Sequence, residues 1–162
     1  MPAPDAASLP TGAIVRTAGP GDAAAIRQMV RAARLDPTQL RWPQFLVIER
    51  DGAIIACGQL RRFRGAQELG SLVVVPSWQG RGLGGLLVRH LIARATAPLY
   101  LECQGALVAY YARFGFTSVS WRTIPARDLR LKFALSALFS RLFRFPHGTM
   151  HYAGPPPGAP AA

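Results

Sequence analysis

A short run of glycines between a predicted strand and a predicted helix constrains this chain more than any other feature. Gly80-Arg81-Gly82-Leu83-Gly84-Gly85 follows a hydrophobic run that ends at Val75 and a break at Pro76, and a helical pattern begins at Leu83. Closely spaced glycines let backbone N–H groups approach phosphate oxygens, because no Cβ stands in the way. The positive end of the following helix points to the same place. The pattern predicts an anion site suited to a pyrophosphate, and the alternative is a turn that only packs a helix on a sheet.

The same run matches the dinucleotide-binding pattern G-x-G-x-x-G, and Glu102 lies where that pattern has its ribose-binding acid. Three features argue against this interpretation. Residues intervene between the strand and Gly80, a long folded stretch precedes the loop, and the rest of the chain is too short for two nucleotide-binding halves. We therefore keep the pyrophosphate site and reject the dinucleotide fold.

Length and composition indicate one globular domain. The chain has 162 residues, of which 50% are hydrophobic and 17% are charged, and this excludes wholesale disorder. We predict a single domain over residues 13–152 between disordered flanks at 1–12 and 153–162, which are rich in proline, glycine and alanine. Neither a signal sequence nor a membrane-spanning run is found, so a cytoplasmic location is expected.

The chain is strongly basic, with 19 Lys and Arg against eight Asp and Glu and a net charge of +11. This excess favours anionic partners, namely nucleic acid, a membrane surface or a polyphosphate cofactor. A basic nucleic-acid-binding module is an alternative function, although no helix-turn-helix, zinc finger or base-stacking aromatic cluster supports it. The two cysteines and three histidines lack the spacing of metal ligands, so no metal is expected.

Hydrophobic periodicity predicts a mixture of strands and helices. The predicted strands lie at 13–17, 45–49, 53–61, 67–75, 99–102, 116–120 and 149–152, and the predicted helices lie near 22–35, 83–95, 105–114 and 128–145. Asp51-Gly52 predicts a tight hairpin turn, and Asp22 stands at a helix N-cap position. The mixture predicts an α/β fold of the α+β type, with a sheet that is incompletely parallel.

Two segments together resemble a known family. Val75-Pro76-Ser77-Trp78-Gln79-Gly80-Arg81-Gly82-Leu83-Gly84 is similar to the acetyl-coenzyme A motif of the GNAT superfamily of N-acetyltransferases. About thirty residues later, Tyr111-Ala112-Arg113-Phe114-Gly115-Phe116 is similar to the family's Y-x-x-x-G-F ending. The element order from Ile14 to Val119 also matches, so the resemblance covers most of the predicted domain.

The resemblance implies a central mixed, largely antiparallel sheet, flanked by helices and splayed at the cofactor site. Acetyl-CoA would be the co-substrate. The backbone of a strand would bind its pantetheine arm, and the glycine loop would bind its pyrophosphate. The cofactor-binding residues implied in this way are Leu72, Val73, Val74, Gln79, Gly80, Arg81, Gly82, Leu83, Gly84, Gly85 and Gln104. Gln104 replaces the family's usual asparagine.

The resemblance also implies two catalytic residues. Tyr111 stands at the family's usual position for the general acid that protonates the departing thiolate, and the alternative for it is a core tyrosine. Glu68 stands where some members have a base that acts through a water, and the alternative is an ion pair with Arg61 or Arg62. Tyr110 and Glu102 are second candidates for the two roles. Cys103 is interpreted as a buried, inert thiol.

The implied function is transfer of an acetyl group from acetyl-CoA to a primary amine of a small molecule or protein, directly within a ternary complex. A CoA-binding sensor of the same fold without catalysis is a further alternative. The chain would be a monomer or a homodimer, and the identity of the acceptor stays open.

The predicted helix at 128–145 combines a leucine and phenylalanine stripe with basic residues. Three interpretations are open. It is a domain helix with a solvated basic face, which we favour, or a wall of the acceptor pocket, or an interfacial membrane helix.

Overall fold

The structure is a computed structural model that describes residues 8–144 and 146–154. The predicted flanks at 1–12 and 153–162 lie largely outside the described residues. The strands are β1 (Ala13–Thr17), β2 (Phe45–Arg50), β3 (Ala53–Phe63), β4 (Ala66–Val74), β5 (Leu99–Gln104), β6 (Phe116–Ser118) and β7 (His147–Tyr152). The α-helices are α1 (Ala23–Ala32), α2 (Leu83–Arg94), α3 (Val108–Ala112) and α4 (Arg127–Phe143).

The strand order is β1-β2-β3-β4-β5-β7-β6. Strand β4 pairs parallel to β5, whereas the β1–β2, β2–β3, β5–β7 and β6–β7 pairs are antiparallel. The predicted mixed and largely antiparallel sheet is therefore confirmed. The splaying at the cofactor site stays a prediction.

The described residues form two compact units. The first unit comprises the described residues up to Leu60 together with Gly70–Leu91, and the second comprises Arg61–Leu69 together with the described residues from Ile92 onward. Each unit has its own cluster of buried apolar side chains.

In the first unit, α1 packs on the strands through the side chains that its periodicity marks. Ile26 and Val30 join Phe45, Val47 and Cys57 in one buried cluster. The hairpin between β2 and β3 turns at Asp51 and Gly52, whose φ angles of +51° and +77° are both left-handed. Two consecutive left-handed residues suit the right-handed twist of the flanking strands, so the predicted hairpin is confirmed.

Asp22 stands at the predicted N-cap of α1 but makes no side-chain capping bond to it. Its carboxylate instead accepts the N–H of Gly19 at 2.7 Å and two bonds from the Arg16 guanidinium at 2.6 and 3.0 Å. The carboxylate therefore secures the 3-10 turn at Pro20–Asp22, which the sequence pattern did not separate from the helix.

In the second unit, β7 lies between β5 and β6. Residues 147–151 of β7 pair with residues 100–104 of β5, and residues 150–152 pair with β6. Strand β4 adds three parallel pairs to β5, from Gln67↔Leu99 to Leu69↔Leu101. Buried side chains of α4, Leu129 and Phe133, pack with Tyr100 and Ile124.

Helix α4 is present over nearly the predicted range, but its leucine stripe does not enter this core. Leu131, Leu135, Leu138 and Leu142 are each more than 60% exposed, so the exposed side of α4 is apolar and not only basic as the favoured interpretation held. Among the described residues, no helix combines the length and the apolarity needed to cross a membrane.

Candidate active site

The glycine loop of the first unit has the backbone that its sequence predicts. Strand β4 ends at Val74, a 3-10 turn covers Pro76–Trp78, and α2 begins at Leu83. Gly80 and Gly82 have φ angles of +74° and +79°, which only glycine adopts without strain. A Cβ built on Gly80 would meet no atom within 4 Å. The loop is therefore open on the side where a ligand would approach Gly80.

The first turn of α2 supplies backbone donors beside this loop. The N–H of Leu86 donates to the carbonyl of Gly82 at 3.0 Å. The N–H groups of Leu83, Gly84 and Gly85 precede that bond and have no acceptor within the helix. The Leu83 side chain is buried, so this residue would contact a ligand through its backbone. The arrangement suits an anion at the positive end of α2.

Trp78 brings two arginines to the loop. The guanidinium carbons of Arg81 and Arg50 lie 4.6 and 4.9 Å from the centre of its ring, within the range of cation–π contacts. Arg50 belongs to β2 and was not predicted as part of the site. Arg50 comes close to the glycine loop through the tertiary fold, so no sequence pattern near the loop predicts its position.

Strand β4 contains a backbone irregularity just before the predicted pantetheine-binding residues. Ser71 is buried and has a φ of +49°, which is uncommon for a residue other than glycine. A left-handed residue in a strand is the mark of a bulge. Val73 after it packs in the core, while Leu72 and Val74 are half-buried. The irregularity lies immediately before the three strand residues that the resemblance assigns to the pantetheine arm.

An apolar pocket of about 310 Å³ lies at the end of β4. It brings together three predicted cofactor-binding residues, Val73, Val74 and Gln79, and the Gln79 amide donates to the carbonyl of Val74 at 2.9 Å. Sequence analysis missed the opposite wall, which comes from the C-terminal half of α1 and the residue after it and consists of Gln28, Met29, Ala32 and Ala33. Helical periodicity identified the buried face of α1 but carried no signal for a face beside a pocket.

In the second unit, Glu68 is held by two cations. Its side chain is 3% exposed. Oε1 lies 3.1 Å from Nη1 of Arg61 and 2.5 Å from Nζ of Lys132. Oε2 is buried and has no hydrogen-bond partner among the described residues. The ion pair with Arg61 was the predicted alternative to a catalytic role and is present, whereas Arg62 is exposed. Lys132 was not anticipated, because it lies 64 residues away in the chain.

Glu102, the second candidate base, also lies near Lys132. Its Oε1 lies 2.8 Å from Nε2 of His147, and its Oε2 lies 3.9 Å from Nζ of Lys132. Lys132 therefore stands between the two carboxylates. We call Arg61, Glu68, Glu102, Lys132 and His147 the charged cluster.

Tyr111 is a buried residue of α3. Its ring makes edge contacts with Tyr110 and Phe116, at centroid distances of 5.1 and 6.0 Å. Burial raises the pKa of the Tyr111 phenol, and the neighbouring Tyr110 and Cys103 raise it further. The hydroxyl therefore keeps its proton throughout the neutral range. Gly115 ends this segment with a φ of +93°, and its N–H donates to the carbonyl of Ala112 at 3.1 Å.

The last two residues of β5 differ in environment. Gln104 is exposed at the end of β5 and pairs with His147 in the ladder to β7. Cys103 is buried with its sulfur 4.0 Å from that of Met150, and burial raises the pKa of its thiol. An unionised thiol is a weak nucleophile, in agreement with the prediction of an inert cysteine. No group of three or more His, Cys, Asp or Glu that could hold a metal occurs in the described part of the chain.

Known proteins share this architecture. A family model described as an acetyltransferase (GNAT) domain matches residues 41–118. An amino-acid acetyltransferase of Shewanella oneidensis is 33% identical over 108 residues, which make up 64% of this chain and 24% of that protein.

Solved structures superpose over more of the chain. N-acetylglutamate synthase of Neisseria gonorrhoeae, solved with coenzyme A and N-acetyl-glutamate, has a TM-score of 0.69 and 20% identity over 91% of this chain and 37% of its own. A Mycobacterium tuberculosis protein solved with CoA has the same TM-score and identity over 85% of this chain and 97% of its own.

The chain thus has the fold of proteins that were solved with coenzyme A bound. Residues 41–118 match the acetyltransferase (GNAT) domain, the family that the two motifs predicted. The chain spans about a quarter of the length of the Shewanella relative and 37% of that of the Neisseria synthase.

Proposed function

We propose that this protein is an acetyl-CoA-dependent N-acetyltransferase that acetylates a primary amine by direct transfer in a ternary complex. The observation that carries the proposal is the glycine loop at the N-terminus of α2. Its two left-handed glycines, and the N–H groups of the first helical turn that have no acceptor within the helix, fit a pyrophosphate, which is a charged part of coenzyme A.

Most of the cofactor-binding roles fall on residues of the first unit. Gly80, Gly82, Leu83, Gly84 and Gly85 would bind the pyrophosphate through backbone N–H groups, with Arg81 adding a positive charge. The backbone of Leu72, Val73 and Val74 would pair with the pantetheine arm. The apolar pocket at the end of β4 has the size and lining of a small-molecule site. Gln104 is proposed as a polar contact to the same arm.

The chemistry requires that the amine nitrogen bond to the thioester carbon, that the carbon–sulfur bond break, and that the thiolate gain a proton. We assign that proton to Tyr111, because its buried phenol stays protonated at neutral pH. We assign the removal of the proton from the amine to Glu68. Only Oε2 is available for this task, since Oε1 is held by Arg61 and Lys132.

An amino acid is the acceptor that the relatives favour. The Shewanella relative is named an amino-acid acetyltransferase, and the Neisseria synthase was solved with N-acetyl-glutamate. Since each exceeds this chain greatly in length, the acceptor needs a direct test.

The test combines cofactor binding with turnover. Titration calorimetry with acetyl-CoA should show saturable binding by the full chain, and Gly82→Val should abolish it by placing a branched side chain against the pyrophosphate. Gly21→Ala is a matched control, since a Cβ at that position meets nothing within 4 Å. Release of free CoA thiol should then be followed with L-glutamate, other amino acids and simple amines.

The two alternatives give different results. A sensor would bind acetyl-CoA and turn over none of the amines. A nucleic-acid-binding module would shift DNA or RNA with steep salt dependence and no effect of CoA. Absence of binding at millimolar acetyl-CoA would contradict the proposal.

A further inference from the structure

Helix α4 carries an exposed apolar stripe along its length. Its members are large apolar side chains, each more than half exposed: Leu131, Leu135, Leu138, Phe139, Leu142 and Phe143. Their spacing puts them on one side of the helix. Leu129 and Phe133, on the opposite side, are completely buried in the second unit. The helix therefore has one face in the core and a second apolar face turned to its surroundings.

Basic side chains border this stripe. Arg127 and Arg141 are both exposed, and their separation of close to four whole turns returns them to the same side of the helix. The acidic side chain on α4 is Asp128, at its first turn. A surface that meets α4 would therefore contact apolar groups flanked by arginine.

A groove of about 700 Å³ adjoins the N-terminal end of the stripe at Leu131. Three arginines line it, Arg64, Arg127 and Arg130, together with Trp121 and the carboxylate of Asp128. One N–H of Arg130 donates to the carbonyl of Ile124 at 3.2 Å, which fixes this guanidinium in place. The groove has a net positive charge and a size suited to a phosphate-bearing group.

We propose that α4 docks this protein on a bilayer that contains anionic phospholipid. The stripe lies at the level of the headgroups and the first acyl carbons, and headgroup phosphates contact Arg127, Arg141 and the groove. Leucine and phenylalanine opposite arginine is the composition of helices that lie in a membrane surface. The protein would stay peripheral, in line with the lack of a spanning helix in its described part.

A second copy of the chain fits this surface less well. It would bring the same arginines to the contact, and the chain has only eight acidic residues against 19 basic ones with which to neutralise them. An anionic bilayer presents the opposite charge along the whole stripe. Charge complementarity therefore selects the lipid surface.

The test is co-flotation of the full chain with vesicles of phosphatidylcholine alone or with 30 mol% phosphatidylglycerol, at about 0.1 M salt. The wild type should float with the anionic vesicles and hardly with the neutral ones. Leu138→Gln/Leu142→Gln should weaken binding at least tenfold, whereas Ile14→Gln/Leu35→Gln, which alters two exposed apolar residues elsewhere, should bind like the wild type. Circular dichroism should show that all variants are folded.

Two double variants that each remove two arginines distinguish the effect of the arginines beside the stripe from the effect of net charge. Arg127→Gln/Arg141→Gln should weaken binding roughly fivefold for each arginine lost. Arg27→Gln/Arg31→Gln, which removes two exposed charges of α1, should have a much smaller effect.

Three results would overturn the proposal. The first is no binding to anionic vesicles. The second is equal binding by Leu138→Gln/Leu142→Gln and the wild type, which would show that net charge alone causes the binding. The third is a wild-type dimer in sedimentation velocity that becomes monomeric in Leu138→Gln/Leu142→Gln without vesicle binding, which would identify a second copy as the occupant. None of these measurements depends on acetyl transfer.

Discussion

Glu68 presents its two carboxylate oxygens to different surroundings. Oε1 is shared by Arg61 and Lys132, and Oε2 is buried without a hydrogen-bond partner among the described residues. A buried acceptor without a partner costs free energy, so the arrangement agrees with a group that keeps one oxygen for chemistry. The same residue therefore has a structural role and a proposed chemical one, and these need separate measurements.

Glu68→Gln should lower the free energy of unfolding by about 3 kcal/mol, because it removes the counter-charge of the buried Arg61 and leaves Lys132 with the more distant carboxylate of Glu102. Urea denaturation measures this loss, and Lys132→Met in a double-mutant cycle gives the part due to the pair. The proposed base role predicts in addition that Glu68→Gln lowers kcat/KM by about 10²- to 10⁴-fold, whereas Lys132→Met should retain most of the activity. An unchanged kcat/KM in folded Glu68→Gln would leave only the structural role.

Tyr111→Phe should lower kcat by about 10²- to 10⁴-fold, the usual range for a general acid, and should leave acetyl-CoA affinity nearly unchanged. Because burial raises the pKa of the phenol, the wild type should not lose this function as the pH rises toward about 10. Steady-state kinetics from pH 7 to 10 test both points, with Tyr110→Phe as the neighbouring control. A Tyr111→Phe enzyme with wild-type kcat would assign the tyrosine to the core.

Asp22→Asn should destabilise the protein by about 1–2 kcal/mol at pH 7. The hydrogen bonds from Arg16, followed by the bond from the Gly19 N–H, lower the pKa of Asp22. Because the pKa is lower in the folded state, the ionised carboxylate stabilises the fold at pH values above the unfolded-state pKa of about 3.9. This stabilisation is lost as the pH falls through the folded-state pKa. The difference in unfolding free energy from wild type should therefore shrink between pH 5 and 2. Asp51→Asn, an exposed control, should change little, and a pH-independent difference at Asp22 would contradict the ion-pair explanation.

At the scale of secondary-structure elements, α2 packs against the sheet at a position where a strand residue is glycine. A Cβ on Gly58 of β3 would lie 2.8 Å from Cδ1 of Leu91 in α2 and 3.2 Å from Cδ1 of Leu72 in β4. The missing side chain is thus what lets the helix and two strands approach each other. Because Leu91 and Leu72 both lie against Gly58, a change at this glycine would affect both the packing of α2 and a predicted pantetheine-binding residue, Leu72.

Gly58→Ala should therefore cost about 1–3 kcal/mol through overpacking and should weaken acetyl-CoA binding by displacing Leu72. Denaturant unfolding and calorimetry measure the two effects on one sample. Gly21→Ala, with open space around its Cβ position, is the control. A Gly58→Ala protein of wild-type stability would show that Leu91 moves aside at no cost.

Sequence patterns predicted the elements well where a local rule acts. The Asp51-Gly52 hairpin was predicted because its tight turn needs left-handed residues at fixed places. The strand, break and helix around the glycine loop were predicted from proline, closely spaced glycines and helical periodicity. The roles of Lys132, Arg50 and the pocket wall of α1 were not predicted, because they depend on contacts between residues far apart in the chain. The leucine period of α4 predicted a helix correctly, but periodicity alone does not say which side is covered.

For the whole molecule, an excess of eleven positive charges dominates the long-range field. Charges of one sign repel each other in the compact state, and salt screens this repulsion. The midpoint of thermal unfolding should therefore rise by a few degrees as sodium chloride increases from about 0.01 to 0.15 M, where the Debye length falls from about 30 to 8 Å. Scanning fluorimetry measures it, and choline chloride should give the same rise. A midpoint that falls with both salts would show that attractive ion pairs outweigh the repulsion.

The position of β7 between β5 and β6 affects how the chain is made. A chain grows from its N-terminus, and its early segments start to fold before the later ones exist. Strand β6, at Phe116–Ser118, has its partner only at residues 150–152. Until those residues leave the ribosome, one edge of β5 and the whole of β6 lack the strand that joins them. An exposed strand edge is a template for pairing with other chains, so this interval of synthesis is when the protein is most exposed to misassembly and when a chaperone would have most to bind.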